Sequence, residues 1–235
     1  MLCSSCEDTQ KKTIKITENS ASDLQKRETK EKVAETKIQE ESSQPPVSGK
    51  NTFKLTNKNM KAFLLDYGKE NKETKVRLTT RFGEIDIQLF KATPLHRANF
   101  IYLTKQNYFD ETFFYRVAKN FVIQGGNSDR DKMARKRFEI GDDYTIPQEQ
   151  IKGKTHQRGS VALSKQWVDN PSNRSTPFEF FIVVAKNGAH HLDGEHTIFG
   201  EVIKGMEVVD KISNVPVDGS EWPLENIFIK AEVIE

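Results

Sequence analysis

Every aromatic residue of this 235-residue chain lies at or beyond Phe53. Aromatic side chains supply much of the area that a core removes from water, so the core has to be built from residue 53 onward. Residues 1–52 are dominated instead by Lys, Glu, Gln, Ser and Thr. Such a segment cannot bury enough apolar surface to offset the entropy of ordering it. The chain therefore divides into a tail or tether over 1–52 and a globular part. Overall composition agrees: 30% charged against 35% hydrophobic residues is lean for a chain that is globular throughout. The formal net charge of +2, with both signs interleaved, excludes a dedicated nucleic-acid surface, which needs clustered Lys and Arg.

Both cysteines, Cys3 and Cys6, lie in the tail. Their C-x-x-C spacing lacks the two further ligands zinc needs and the βαβ setting of a redox pair. The segment from Met1 to Asp8 is read instead as the stump of a bacterial lipoprotein signal, with small residues before Cys6 and a polar tether after it. A signal peptide has an apolar stretch ahead of its cleavage site, so this reading requires an earlier start. With that start the folded part works in a bacterial envelope; if Met1 is the true start, it works in the cytoplasm.

Within the globular part the period of the apolar residues changes. Met60, Phe63, Leu64 and Tyr67 fall at i, i+3, i+4, i+7, which predicts a short amphipathic helix stopped by Gly68 and docked on the domain C-terminal to it. From about 74 the period is two: Val76, Leu78 and Thr80, a turn at Gly83, then Ile85, Ile87 and Leu89 predict a β-hairpin. Thr93-Pro94 reads as a capping hydroxyl with proline in the first helical position, opening a helix to about residue 106. Further strands are expected at Gly159–Leu163, Phe178–Val184, Thr197–Ile203 and Asn226–Ile234, with a second short helix at Gly205–Ile212. The expected domains are thus the tail 1–52, a docking helix and linker 53–72, and a β-rich domain 73–235. Periodicity cannot itself show whether such a sheet closes on itself.

One stretch carries chemistry. The run from Phe113 to Asn127 sets Arg116 and Gln124 among aromatic and β-branched residues and ends on Gly125-Gly126. Strand sequence seldom accommodates a cation and an amide without partners for them, so the two are candidates for a polar pair at the edge of an apolar pocket. Gly125-Gly126 lacks the Lys-Ser/Thr and strand–loop–helix context of a phosphate loop and reads as a turn.

This run resembles the signature of the cyclophilin-type peptidyl-prolyl cis-trans isomerases. Three further blocks, in order along the chain, strengthen the resemblance: Thr93 to Phe100, Phe178-Glu179-Phe180-Phe181-Ile182, and Leu192-Asp193-Gly194-Glu195-His196-Thr197-Ile198-Phe199-Gly200. The resemblance covers 74–234. It implies a mainly β fold, a closed eight-stranded antiparallel cyclophilin-like barrel capped by two helices, here with an extra N-terminal helix. It implies an isomerase of Xaa–Pro bonds in protein folding, acting on proline-containing unfolded or extended polypeptides.

Residue by residue, the resemblance makes Arg116 the transition-state donor, Gln124 its orienting partner and Phe121 a catalytic wall. It places Val122, Leu163, Ser164, Lys165, Glu179, Phe181, His191, Leu192 and His196 along the substrate groove. Rotation about an amide makes and breaks no bond, so neither metal nor cofactor is expected, and His196 has no companions at ligand spacing. The remaining expectations are a monomer without nucleic-acid partners, touching a membrane only through an N-terminal lipid anchor.

Three positions depart from the family pattern. Glu179 replaces a glutamine and adds a negative charge near Arg116, Lys165 stands for an asparagine, and His191 replaces the tryptophan of members that bind cyclosporin tightly. The 165–177 loop is long, and its Trp167 either grips substrate or pins the loop. The alternative to catalysis is a proline-peptide-binding chaperone or scaffold module, with Glu179 and Lys165 retuning the groove for holding.

Overall fold

A computed structural model describes residues 53–166 and 169–235. Its nine strands form one antiparallel sheet: β1 Lys75–Thr80, β2 Gly83–Leu89, β3 Phe113–Ala118, β4 Val122–Asn127, β5 Ser160–Lys165, β6 Ser175–Val183, β7 Ile198–Lys204, β8 Ile227–Phe228 and β9 Lys230–Val233. The order across the sheet is β8-β3-β4-β6-β5-β7-β2-β1-β9. The two outermost strands are halves of a single run interrupted at Ile229. The first half pairs with β3 and the second with β1, so one short segment brings the two ends of the sheet together into a barrel. The backbone N–H of Ile229 bonds the Thr112 carbonyl at the junction. The expected eight strands become nine because this last strand is broken in two.

Alternation along each strand sorts side chains to two faces. Ile123, Val161, Leu163, Phe180 and Ile182 point into the main core with Phe100, Phe109 and Phe199. Their neighbours Val122, Ala162, Phe181 and Val183 point outward into a second, smaller apolar cluster with Leu192. A barrel this small has room inside only for side chains. Binding has to occur on its outer wall, over the second cluster.

Among the described residues four α-helices accompany the barrel: α1 Met60–Glu70, α2 Pro94–Lys105, α3 Asp131–Ile140 and α4 Met206–Ser213. The N-terminal helix runs through Gly68 rather than stopping there. A Cβ on Gly68 would lie 3.0 Å from Nη2 of Arg97 and 3.2 Å from Cβ of Ala98, so the glycine permits close approach of α1 and α2 instead. Arg97 then caps the end of α1, donating to the carbonyls of Gly68 at 2.8 Å and Asn71 at 2.7 Å. Leu55, Met60 and Leu64 enter the main core.

α3 has no counterpart among the helices expected from the sequence. Its inward face is Met133, Arg137 and Ile140, and a cation in the middle position breaks the apolar periodicity that would announce a helix.

The start of α2 also differs from expectation. The Thr93 hydroxyl bonds back to the Phe90 carbonyl and does not cap. The cap is Glu149, far along the chain, whose carboxylate accepts from the backbone N–H of Leu95 at 3.1 Å and His96 at 3.0 Å. It also accepts from Nδ1–H of the fully buried His96 at 2.7 Å. A carboxylate suits a helix N-terminus, and here it satisfies three donors. Glu149→Ala leaves those donors without a partner, and the expected loss of unfolding free energy is about 3 kcal/mol. Urea or guanidinium denaturation measures it, and a loss below about 1 kcal/mol would contradict this role.

Candidate active site

The wall over the second cluster is built from adjacent strands. Arg116 on β3 pairs with Gln124 on β4, and Gln124 pairs in turn with Phe181 on β6. Next to β6, β5 ends in Ser164 and Lys165. A short turn of helix at His190–Leu192 and the segment leading to His196 close the far side. Together Tyr115, Arg116, Phe121, Val122, Gln124, Ser164, Lys165, Glu179, Phe181, His191, Leu192 and His196 line one cavity of about 560 Å³.

All but one of the residues expected from the sequence meet there. Leu163 does not, because strand parity turns it into the barrel core; Ala162 takes the place under the pocket. Leu163 contributes its carbonyl instead, which accepts Nδ1–H of His196 at 3.0 Å. Tyr115 is an additional member that the sequence did not mark. The pairing of β3 with β4 shifts register between Phe114 and Arg116, and a bulge places successive side chains on one face. Trp167 lies outside the described residues, as does the N-terminal tail with both cysteines.

The charged groups of the pocket are paired, and not as the sequence suggested. Among the described residues no hydrogen bond joins the Gln124 side chain to Arg116; its amide N–H donates to the Ser164 hydroxyl at 2.8 Å. Arg116 is held by Glu221, whose Oε2 accepts Nε–H at 2.7 Å. The guanidinium stands 5.9 Å from the centre of the Phe121 ring, with its side chain 36% exposed. Among the described residues no hydrogen bond or ion pair joins Glu179 to Arg116. Its carboxylate accepts from Tyr115 at 2.9 Å, Asn127 at 3.1 Å and Arg137 at 3.3 Å. Arg137 reaches in from α3 and also donates to the Tyr108 hydroxyl at 2.8 Å. Burial raises the pKa of that hydroxyl to about 12. Lys165 bonds Glu195 and Asn173, the latter at 2.6 Å. Thus the Glu179 and Lys165 departures from the family pattern are absorbed into internal pairs.

The apolar floor is Phe181, with the His196 ring edge-on to it at 5.2 Å. His156 stacks on the same ring from behind, its centroid 6.1 Å away, and donates Nδ1–H to Asp193 at 2.7 Å. His191 lies exposed against Phe121, the ring centres 5.1 Å apart. Burial pushes the His196 imidazole down to about 4, with the Leu163 carbonyl opposing and the Lys165 charge adding to the shift. Burial likewise lowers His156 and His96, against the pull of Asp193 and Glu149. These buried imidazoles are therefore neutral at physiological pH. Among the described residues no group of three His, Cys, Asp or Glu is placed to hold a metal ion.

The Cyclophilin type peptidyl-prolyl cis-trans isomerase/CLD family model matches residues 75–233, well over half of the chain. The chain belongs to this family. A peptidyl-prolyl cis-trans isomerase of Acinetobacter baylyi is 37% identical over 147 residues, covering 61% of this chain and 73% of that protein. The peptidyl-prolyl cis-trans isomerase-like 3 of Dictyostelium discoideum is 33% identical over 163 residues, 68% of this chain and 94% of that one. Among solved structures, a cyclophilin type isomerase of Cryptosporidium parvum crystallised in the presence of the dipeptide Ala-Pro superposes with a TM-score of 0.57. It is 26% identical and is covered over 99% of its length by 68% of this chain.

The buried histidines make stability depend on pH. In the unfolded chain His196 takes up a proton as pH falls through its ordinary value of 6.5, while in the folded state it resists until about 4. The unfolded state then binds more protons, so stability falls on acidification between these values and is independent of this group above them. From His196 alone the expected loss between pH 6.5 and 5 is about 2 kcal/mol; His156 and His96 add in the same direction. Denaturant titrations at both pH values, with His196→Gln as the comparison, measure it. A wild type equally stable at the two would contradict the neutral burial of His196.

Proposed function

We propose that this chain catalyses rotation about Xaa–Pro bonds of unfolded or extended polypeptides, acting in protein folding as a monomer and without a cofactor. The observation that carries the reading is one cation, Arg116, anchored through Nε beside an apolar pocket. Among the described residues no acceptor is bonded to either terminal nitrogen of that guanidinium.

Rotation about an amide faces a barrier of about 20 kcal/mol because twisting destroys its resonance. In the twisted state the prolyl nitrogen regains a lone pair that the planar amide lacks. A fixed N–H aimed at that nitrogen stabilises the transition state more than the ground state, which is the requirement for raising the rate. Arginine suits the task, since it stays charged and presents a rigid fork of donors. Its Nε is committed to Glu221, so the terminal nitrogens face the substrate.

The proline ring is held by Phe121, Val122, Phe181 and Leu192, with His196 at the rim. A neutral His196 keeps this end of the pocket apolar and brings no second charge to compete for the peptide carbonyl. Gln124, bonded to Ser164, offers its amide oxygen to the peptide backbone. Ser164, Lys165, Glu179 and His191 border the path of the flanking residues. The proline is thereby fixed while the preceding carbonyl swings.

The alternative is a module that holds proline segments without turning them over. It loses its motive where Glu179 and Lys165 are neutralised by Arg137 and Glu195, because neither charge is left to retune the groove. Exchange NMR on an Ala-Pro peptide separates the readings. The wild type is expected to accelerate cis–trans exchange, and Arg116→Ala to lower that acceleration by about 100-fold, the scale of removing one transition-state donor. A wild type that binds the peptide while exchange stays at the uncatalysed rate would favour the holding module.

A further inference from the structure

Glu221 belongs to no motif, lies in an irregular loop and is absent from every block that resembles the family signature. We propose that it is a positioning residue for the isomerase site: its carboxylate fixes the Arg116 guanidinium so that the terminal nitrogens meet the twisting prolyl amide. The inference rests on the isomerase reading above and adds a residue to it.

Two independent observations support it. The first is the contact itself, Nε–H of Arg116 to Oε2 of Glu221 at 2.7 Å, with no other side chain bonded to this guanidinium among the described residues. The second is backbone conformation. Five non-glycine residues among those described have a positive φ: Asn107, Asn120, Asp169, Asn173 and Glu221, the last at +66°. Asn and Asp tolerate the left-handed region, whereas other side chains are strained in it. Glu221 is the one member of the set that is neither. Strain of this kind persists where the surroundings over-determine it, and such residues concentrate at functional sites.

The surroundings here do so. The Asp218 carboxylate accepts the backbone N–H groups of Ser220 at 2.8 Å and Trp222 at 3.0 Å, bracketing Glu221. The Glu221 carbonyl accepts the N–H of Val117 at 2.8 Å, tying the loop to the strand that carries Arg116. Trp222 packs against Phe113 at 5.5 Å and Tyr115 at 6.0 Å on the same strand. A left-handed residue at 221 thus aims its side chain at the guanidinium of residue 116, while the backbone on both sides is held to β3.

The geometry separates function from folding. Glu221→Asn suits the left-handed backbone better than glutamate does, yet its side chain is too short to reach Arg116. Its melting temperature is expected to stay level or rise, while exchange at saturating Ala-Pro peptide falls by about tenfold. The peptide dissociation constant is expected to stay within about twofold, since the donor acts on the twisted state. Glu221→Gln, which keeps an oxygen acceptor for Nε–H, is expected to retain most of the rate. A readout independent of activity is the Nε–H resonance of Arg116, slow to exchange with solvent in wild type and Glu221→Gln and lost in Glu221→Asn.

Glu221→Asn turning over at or above the wild-type rate would overturn the proposal, as would a rate loss matched by equal losses of melting temperature and peptide affinity. A wild type without isomerase activity would sink the isomerase reading instead. The Nε–H resonance would still report whether Glu221 holds Arg116.

Discussion

Closure of the sheet by the run from Ile227 to Val233 is the constraint on which the rest depends. β3, which carries Arg116, has β4 on one side; its other edge is covered by the two residues of β8 and, further along, by the Glu221 carbonyl that accepts the Val117 N–H. An open edge there would leave backbone donors unpaired and the strand free to move. Because the same run continues onto β1, the position of β3 is fixed by the opposite end of the sheet. Catalysis by a single donor requires that donor to be placed to within a fraction of an ångström. A closed barrel supplies that rigidity more directly than a loop could.

On this frame the pocket is a consequence of parity. Alternate residues of β4, β5 and β6 build two apolar clusters, one inside the barrel and one outside. The outer cluster floors the pocket: its side chains are themselves buried, with half-buried Phe121 packed against them. It is rimmed by charges, yet each is answered: Arg116 by Glu221, Glu179 by Arg137, Lys165 by Glu195. The net effect is a nearly neutral groove with one directed cation, suited to a neutral, uncharged reacting group such as a prolyl amide.

Much of this was legible in the amino-acid order. The period-two stretches 75–89 and the aromatic run 113–127 announced strands, and four spaced blocks announced the family. What escaped had physical reasons. α3 carries Arg137 where an apolar residue would have marked its inner face. The bulge at Tyr115 breaks the alternation by which pocket residues are read, and parity likewise sends Leu163 inward. Glu149 and Glu221 act across long sequence separations from irregular segments, where no periodicity points to a partner. The pairings that neutralise Glu179 and Lys165 are tertiary for the same reason, so the residues could be found from sequence but their electrostatic roles could not.

The central claim is that Arg116 acts on the twisted amide rather than on the bound peptide. Arg116→Lys tests it most directly, with Ala-Pro peptide affinity and catalysed exchange measured on one sample. Lysine keeps the charge and loses the fork that Glu221 anchors. The account predicts affinity within about twofold of wild type and exchange slower by about tenfold or more. Exchange unchanged by the substitution, or slowed only in proportion to weaker binding, would contradict it.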